Sequence, residues 1–109
     1  MSKKVKAFNN VLELIGNTPL VKLNKIVEEI PGDFYAKVEA FNPGHSNKDR
    51  IALHIIETAE KKGLLKPGST IIETTSGNTG FSLSMVSIIK GYNCILAVSS
   101  KSSPDKIDM

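Results

Sequence analysis

An α/β fold with a parallel sheet joined by βαβ crossovers is the class this sequence predicts. Three features point to it. Strand and helix patterns alternate from residue 33 onward, two short apolar strands flank a helix of about a dozen residues, and glycine or proline punctuates the junctions. At 109 residues the chain lies in the size range of one domain, so neither disulfides nor metals are needed to hold it.

The elements follow in order. Val11, Leu12, Leu14 and Ile15 predict one or two helical turns. Gly16-Asn17-Thr18-Pro19 turns the chain into Leu20–Leu23, an edge strand because proline precedes it. Residues 1–32 form this N-terminal segment, and residues 33–109 an α/β portion that is incomplete. Phe34–Ala40 predicts a strand, Asn42-Pro43-Gly44 a turn, and Ser46–Leu64 a helix stopped near Gly63. After the Lys66-Pro67-Gly68 turn, Thr70–Thr74 predicts a strand, Thr79–Lys90 a helix stopped by Gly91, and Cys94–Val98 a strand. Phe81, Leu83, Met85, Val86, Ile88 and Ile89 leave little of that second helix for water. The natural unit is a right-handed crossover in a parallel sheet covered on both faces. Ser103-Pro104-Asp105 announces another helix just before Met109, so the chain reads as the front part of something longer. Gly-Asn-Thr occurs at Gly16 and at Gly77 with unrelated flanks, which is coincidence rather than a repeat.

Composition excludes several classes. The formal charge of +3 is mild, with Lys3, Lys4 and Lys6 the only basic cluster, so no nucleic-acid footprint is visible. No apolar run approaches the ~20 residues of a membrane span, and no apolar region follows the basic cluster as in a signal peptide. A lone Cys94 rules out a disulfide framework and fits a reducing cytoplasm.

Two places carry chemistry. With Ser46 as N-cap and roughly 100° per residue, Lys48 falls within the stripe of Ile51, Ala52, Ile55 and Ala59, opposite Arg50, Glu57 and Lys61. A first-turn position and an apolar face both favour a neutral amine, the form that attacks a carbonyl to make a Schiff base. A lysine that snorkels into water is the plain alternative. The second place is Thr75-Ser76-Gly77-Asn78-Thr79-Gly80, between a strand end and a helix start. There converging N–H groups and hydroxyls suit a carboxylate or phosphate. A tight turn with Asn78 or Thr79 as cap explains the loop equally well. It lacks both the P-loop and the dinucleotide glycine patterns. His45 is a candidate for acid–base work, His54 lies on a polar face, and Cys94 opens an apolar strand. Glu39, Asp49 and Glu73 show no partner at catalytic spacing, and Asp49 fits a helix-dipole role with Ser46.

Together, Ile15-Gly16-Asn17-Thr18-Pro19-Leu20-Val21, Asn42-Pro43-Gly44-His45-Ser46-Asn47-Lys48-Asp49-Arg50 and Thr75-Ser76-Gly77-Asn78-Thr79-Gly80 resemble the N-terminal part of cysteine synthase and cystathionine β-synthase. These are pyridoxal phosphate enzymes of the two-domain, tryptophan-synthase-like fold type. The resemblance runs from about Leu12 to the end. It implies pyridoxal 5'-phosphate as cofactor, Lys48 as the lysine that binds it and moves the substrate α-proton, and Asn78 as donor to its ring hydroxyl. Thr75, Ser76 and Thr79 would hold the α-carboxylate of a small amino-acid substrate. The implied reaction is β-replacement on an activated serine, of cysteine synthase type, in a cytoplasmic homodimer when full length. Cystathionine β-synthase is the alternative, since Lys101–Asp108 is slightly more like that enzyme, and a non-catalytic fragment binding at most a carboxylate is the alternative of another class. Threonine dehydratase and threonine synthase have a different asparagine loop.

Two departures stand out. The family usually has glycine at His45 and an apolar residue at Asn47. Its phosphate loop and the residue facing the pyridine nitrogen would lie beyond Met109, so the isolated chain is expected to be inactive.

Overall fold

The computed structural model describes residues 4–75 and 77–108. After a single 3-10 turn at Val11–Leu14, strand β1 (Leu20–Lys22) pairs antiparallel with β2 (Tyr35–Lys37), in the register Leu20↔Lys37 to Lys22↔Tyr35. The expected edge strand is thus present, and its pairing joins residues on both sides of position 32. The expected strand Phe34–Ala40 is shorter, because residues 39–41 coil into a 3-10 turn. Helix α1 (Lys48–Lys61) leads to β3 (Thr70–Thr74), α2 (Asn78–Lys90), β4 (Asn93–Ala97) and a short α3 (Pro104–Asp108). β3 and β4 pair in parallel from Thr70↔Asn93 to Thr74↔Ala97, with α2 as the crossover, so the α/β class holds.

Helices α1 and α2 pack on each other around Ala52, Ile56, Leu83 and Val86, with Leu12, Leu53, Leu65, Ile71 and Tyr92 against this core. The pairs Ala52/Ile56 and Leu83/Val86 stand at helical spacing, so each helix offers one stripe to the other. Burying each of the larger side chains contributes ~1.5–3 kcal/mol. At the far end of the helix pair, Glu60 accepts from Lys90 Nζ at 2.9 Å and from Tyr92 Oη at 2.8 Å, tying α1 to the end of the crossover.

Two expectations about burial need correction. The parallel pair is covered on one face only: Ile72 is 71% and Ile95 56% exposed, because both helices lie on the side of Ile71 and no layer covers the other side among the described residues. The apolar stripe of α1 is also displaced. Ile51 and Ile55 are 43% and 53% exposed, and the buried residues are Asp49, Ala52 and Ile56. That face lies roughly 80° round the wheel from the expected one, taking ~100° per residue. That face includes a carboxylate, Asp49, which a hydropathy pattern assigns to solvent.

Candidate active site

Lys48 opens α1 at the end of a loop fixed by buried polar groups. Asn42 is fully buried: its Oδ1 accepts from Gly16 N–H at 2.8 Å, and its Nδ2 donates toward Glu39 O, Glu39 Oε2 and Ser46 O at 2.9–3.0 Å. His45 N–H returns to Asn42 O at 2.8 Å. Asn47 is the residue before the helix, yet the capping oxygen is that of Ser46, which accepts from Lys48 N–H at 3.1 Å. Lys48 itself is half-buried, and among the described residues no hydrogen bond or ion pair engages its Nζ.

Beside it, Asp49 is completely buried. One carboxylate oxygen accepts from Gly44 N–H at 2.5 Å and the other from Ser82 Oγ, on α2, at 2.6 Å. Only glycine fits at position 44, since a Cβ there would stand 2.8 Å from Asp49 Cγ and closer still to Oδ1. The helix-dipole role expected for Asp49 is therefore joined by a larger one: it links the loop before α1 to the second helix.

On the outer side, Arg50 closes the Gly16-Asn17-Thr18 turn onto this loop. Its Nε and Nη2 donate to the two Glu39 carboxylate oxygens at 2.8 and 3.0 Å, and Nη2 also reaches Gly16 O at 2.9 Å and Thr18 Oγ1 at 3.1 Å. Thr18 Oγ1 donates to Glu39 Oε1 at 2.7 Å, and Lys37 Nζ to Thr18 O at 2.5 Å. Arg50 first, then Thr18 and Asn42, hold the Glu39 carboxyl down to about 2. Glu39 thus has the partners that the sequence did not reveal.

The loop after β3 is organised from within. Thr75 Oγ1 accepts from Gly77 N–H at 3.2 Å and from Gly80 N–H at 3.1 Å, so Thr75, rather than Asn78 or Thr79, caps α2. Two of the N–H groups expected to face an anion are thereby satisfied inside the loop. A Cβ at Gly80 would strike Thr75 Cγ2 and come 3.1 Å from Leu96 Cδ1, so the helix start sits tightly on the sheet. Asn78 is the exposed first residue of α2 and Thr79 is half-buried. Their side chains make no hydrogen bond among the described residues, and Ser76 lies outside those residues.

The structure therefore brings the two expected sites together through Asp49 and Ser82. The lysine stands next to one end of that bridge, and Asn78 lies one helical turn from the other. Sequence reasoning missed the roles of Ser82, Asn42 and the Glu39–Arg50–Thr18 cluster; Ser82 showed only as a polar letter inside an apolar helix pattern, and the others as ordinary turn and polar-face residues. His54 is exposed, as expected. His45 is exposed too, and at φ 63° it is in the left-handed region, which favours glycine. Cys94 is half-buried, 3.8 Å from Ser84 Oγ. No group of three or more His, Cys, Asp or Glu among the described residues is arranged to hold a metal, and no described helix is long and apolar enough to cross a membrane.

Known proteins share the sequence and the fold of this chain. A cystathionine β-synthase from Apis mellifera is 53% identical over 104 residues, covering 94% of this chain and 21% of that protein. A cysteine synthase from Staphylococcus aureus is 46% identical, covering 93% of this chain and 33% of its own length. Among solved structures, a hydrogen sulfide-producing enzyme from Fusobacterium nucleatum superposes with a TM-score of 0.90 at 45% identity, covering 96% of this chain and 34% of that one. The chain thus spans between about a fifth and a third of the length of these relatives. Residues 11–109 match the family of pyridoxal-phosphate dependent enzymes, and the chain belongs to that family.

Proposed function

We propose that this chain carries the lysine-bearing part of an enzyme that replaces the β-substituent of an activated serine, of cysteine synthase type: O-acetylserine and sulfide give cysteine and acetate. The observation that carries the proposal is Lys48, half-buried at the first position of α1, with Nζ engaged by no described residue and its helix start bridged to that of α2. The residues present fit a carbonyl-bearing cofactor with a ring hydroxyl: a primary amine on one helix start, and on the other an amide side chain that no described residue engages. When bound, pyridoxal phosphate supplies the electron sink that makes loss of the α-proton and of the β-substituent feasible. Lys48 holds the cofactor and moves the proton at the substrate Cα. Asn78 donates its amide to the ring hydroxyl oxygen. Thr79 and Ser76 offer hydroxyl donors to the substrate carboxylate, and Thr75, while accepting two backbone N–H groups, retains its own proton to donate.

A second reading, cystathionine formation from serine and homocysteine, is favoured by the higher identity to the honeybee relative. Borohydride reduction of the native protein with pyridoxal phosphate, followed by peptide mapping, tests the lysine. Label on Lys48 supports the proposal, and label confined to Lys37 or Lys90 defeats it. Turnover with sulfide against turnover with homocysteine separates the two readings. A protein that binds amino acids but releases no acetate from O-acetylserine and forms no cystathionine is a non-catalytic binder.

A further inference from the structure

We propose that Asp49 is a positioning residue for Lys48: its buried carboxylate fixes the lysine against the Thr75–Gly80 loop through Gly44 and Ser82. The proposal rests on Lys48 being the cofactor lysine, and it concerns what holds that lysine in place. A fully buried carboxylate is costly, and a buried ion is weak evidence of a purely stabilising role, because a well-packed apolar residue often does as well. Here the cost is offset by two charge-assisted hydrogen bonds with separate structural consequences. Gly44 N–H belongs to the loop that delivers the chain to Lys48, so the first bond fixes the entry into α1. Ser82 stands one turn after Asn78, on the same face of α2, so the second bond fixes α2 against the same carboxylate.

No other hydrogen bond among the described residues joins the two helices near Lys48. The apolar cluster of Ala52, Ile56, Leu83 and Val86 begins directly beside the Asp49–Ser82 bond, with Ala52 one turn after Asp49 and Leu83 next to Ser82. Apolar packing sets the distance between helices but is tolerant of sliding along their axes. A hydrogen bond of 2.6 Å between single atoms is not. Lys48 and Asn78 would have to meet neighbouring substituents of one small ring, and an error of about 1 Å in such a placement costs roughly a hundredfold in rate.

The test compares Ser82→Ala, Asp49→Asn and, as a control, Val86→Ala in the native protein. Val86→Ala removes buried apolar volume from the same helix pair without touching the bridge. The readout is the rate at which pyridoxal phosphate, fixed by borohydride in the absence of substrate, labels Lys48, beside the thermal midpoint of each variant. Ser82→Ala is expected to slow Lys48 labelling roughly tenfold and Asp49→Asn up to about a hundredfold, whereas Val86→Ala leaves it within about twofold despite its lower midpoint. Should Asp49→Asn not fold, Ser82→Ala carries the comparison alone. Unchanged labelling in Ser82→Ala, or an equal loss in Val86→Ala, overturns the proposal while leaving Lys48 as the cofactor lysine. A parent protein labelled elsewhere overturns that assignment and this one with it.

Discussion

Gly44→Ala is the perturbation whose size the structure fixes most directly. The added Cβ would stand 2.8 Å from Asp49 Cγ and 2.9 Å from Oδ2, where unstrained contacts between carbons are ~3.5–4.0 Å. Asp49 is fully buried and cannot swing into water, so the carboxylate must move by about 1 Å or the loop must open. Either movement breaks the bond from Gly44 N–H and weakens the one from Ser82, each of which contributes ~1.5–3 kcal/mol as a bond to a charged group. A buried carboxylate deprived of a partner costs ~3–5 kcal/mol. That is a large share of the ~5–15 kcal/mol available to a domain of this size, and it lowers the thermal midpoint by about 12 °C or more. Gly68→Ala is the yardstick: nothing lies within 4 Å of its Cβ, so only its φ of 81° counts, at ~1–2 kcal/mol. The assay is urea unfolding followed by far-ultraviolet circular dichroism, with a shifted midpoint at constant slope. In an Asp49→Ala background the obstacle is gone, so the Gly44→Ala penalty should shrink by at least ~1.5 kcal/mol. A Gly44→Ala cost below about 1 kcal/mol, or additivity within ~0.5 kcal/mol, refutes the reasoning.

Two further outcomes follow from the same geometry. The Glu39 carboxyl, held by Arg50, Thr18 and Asn42, falls from 4.5 to about 2, so between those values the unfolded chain binds the extra proton. Its contribution to stability is complete above 4.5 and is lost as pH falls toward 2, and Glu60, lowered by Lys90 and Tyr92, acts in the same direction. Urea midpoints measured from about pH 6 to about pH 2.5 should decline over this window, and Glu39→Gln should flatten the decline; an unchanged slope in that variant contradicts the assignment. His45→Gly should raise stability by ~0.5–1 kcal/mol, the left-handed strain relieved less the extra chain entropy of glycine, and a lower urea midpoint would show that the imidazole makes a compensating contact.

The part of the fold that was legible in the sequence is the part set by local rules. β3 matches its expected span, Thr70–Thr74, and α2 and β4 begin one residue earlier than expected, because short apolar runs between glycines admit few other readings. The face of α1 was misread for a physical reason. Hydropathy places an aspartate in water, whereas the donors that let Asp49 be buried come from Gly44 and from Ser82, which is 33 residues away. The shortening of the Phe34–Ala40 strand has a similar origin. Val38 N–H still pairs with Pro19 O, but Glu39 is drawn out of the strand line toward Arg50, eleven residues on. Long-range polar pairing leaves no periodic trace.

That distinction also sorts the motif residues. Gly16, Thr18, Asn42, Ser46, Asp49 and Arg50 are already engaged with other parts of the chain, and using any of them to grip a ligand means giving up a bond already made. Lys48 Nζ and the side chains of Asn78 and Thr79 are not engaged by any described residue. A ligand that meets these three groups gains hydrogen bonds without breaking one within the described chain, and the surrounding network has already fixed their backbones. The letters that make the three motifs recognisable are therefore mostly those of the scaffold, and the chemistry falls to the few polar groups that the scaffold leaves over.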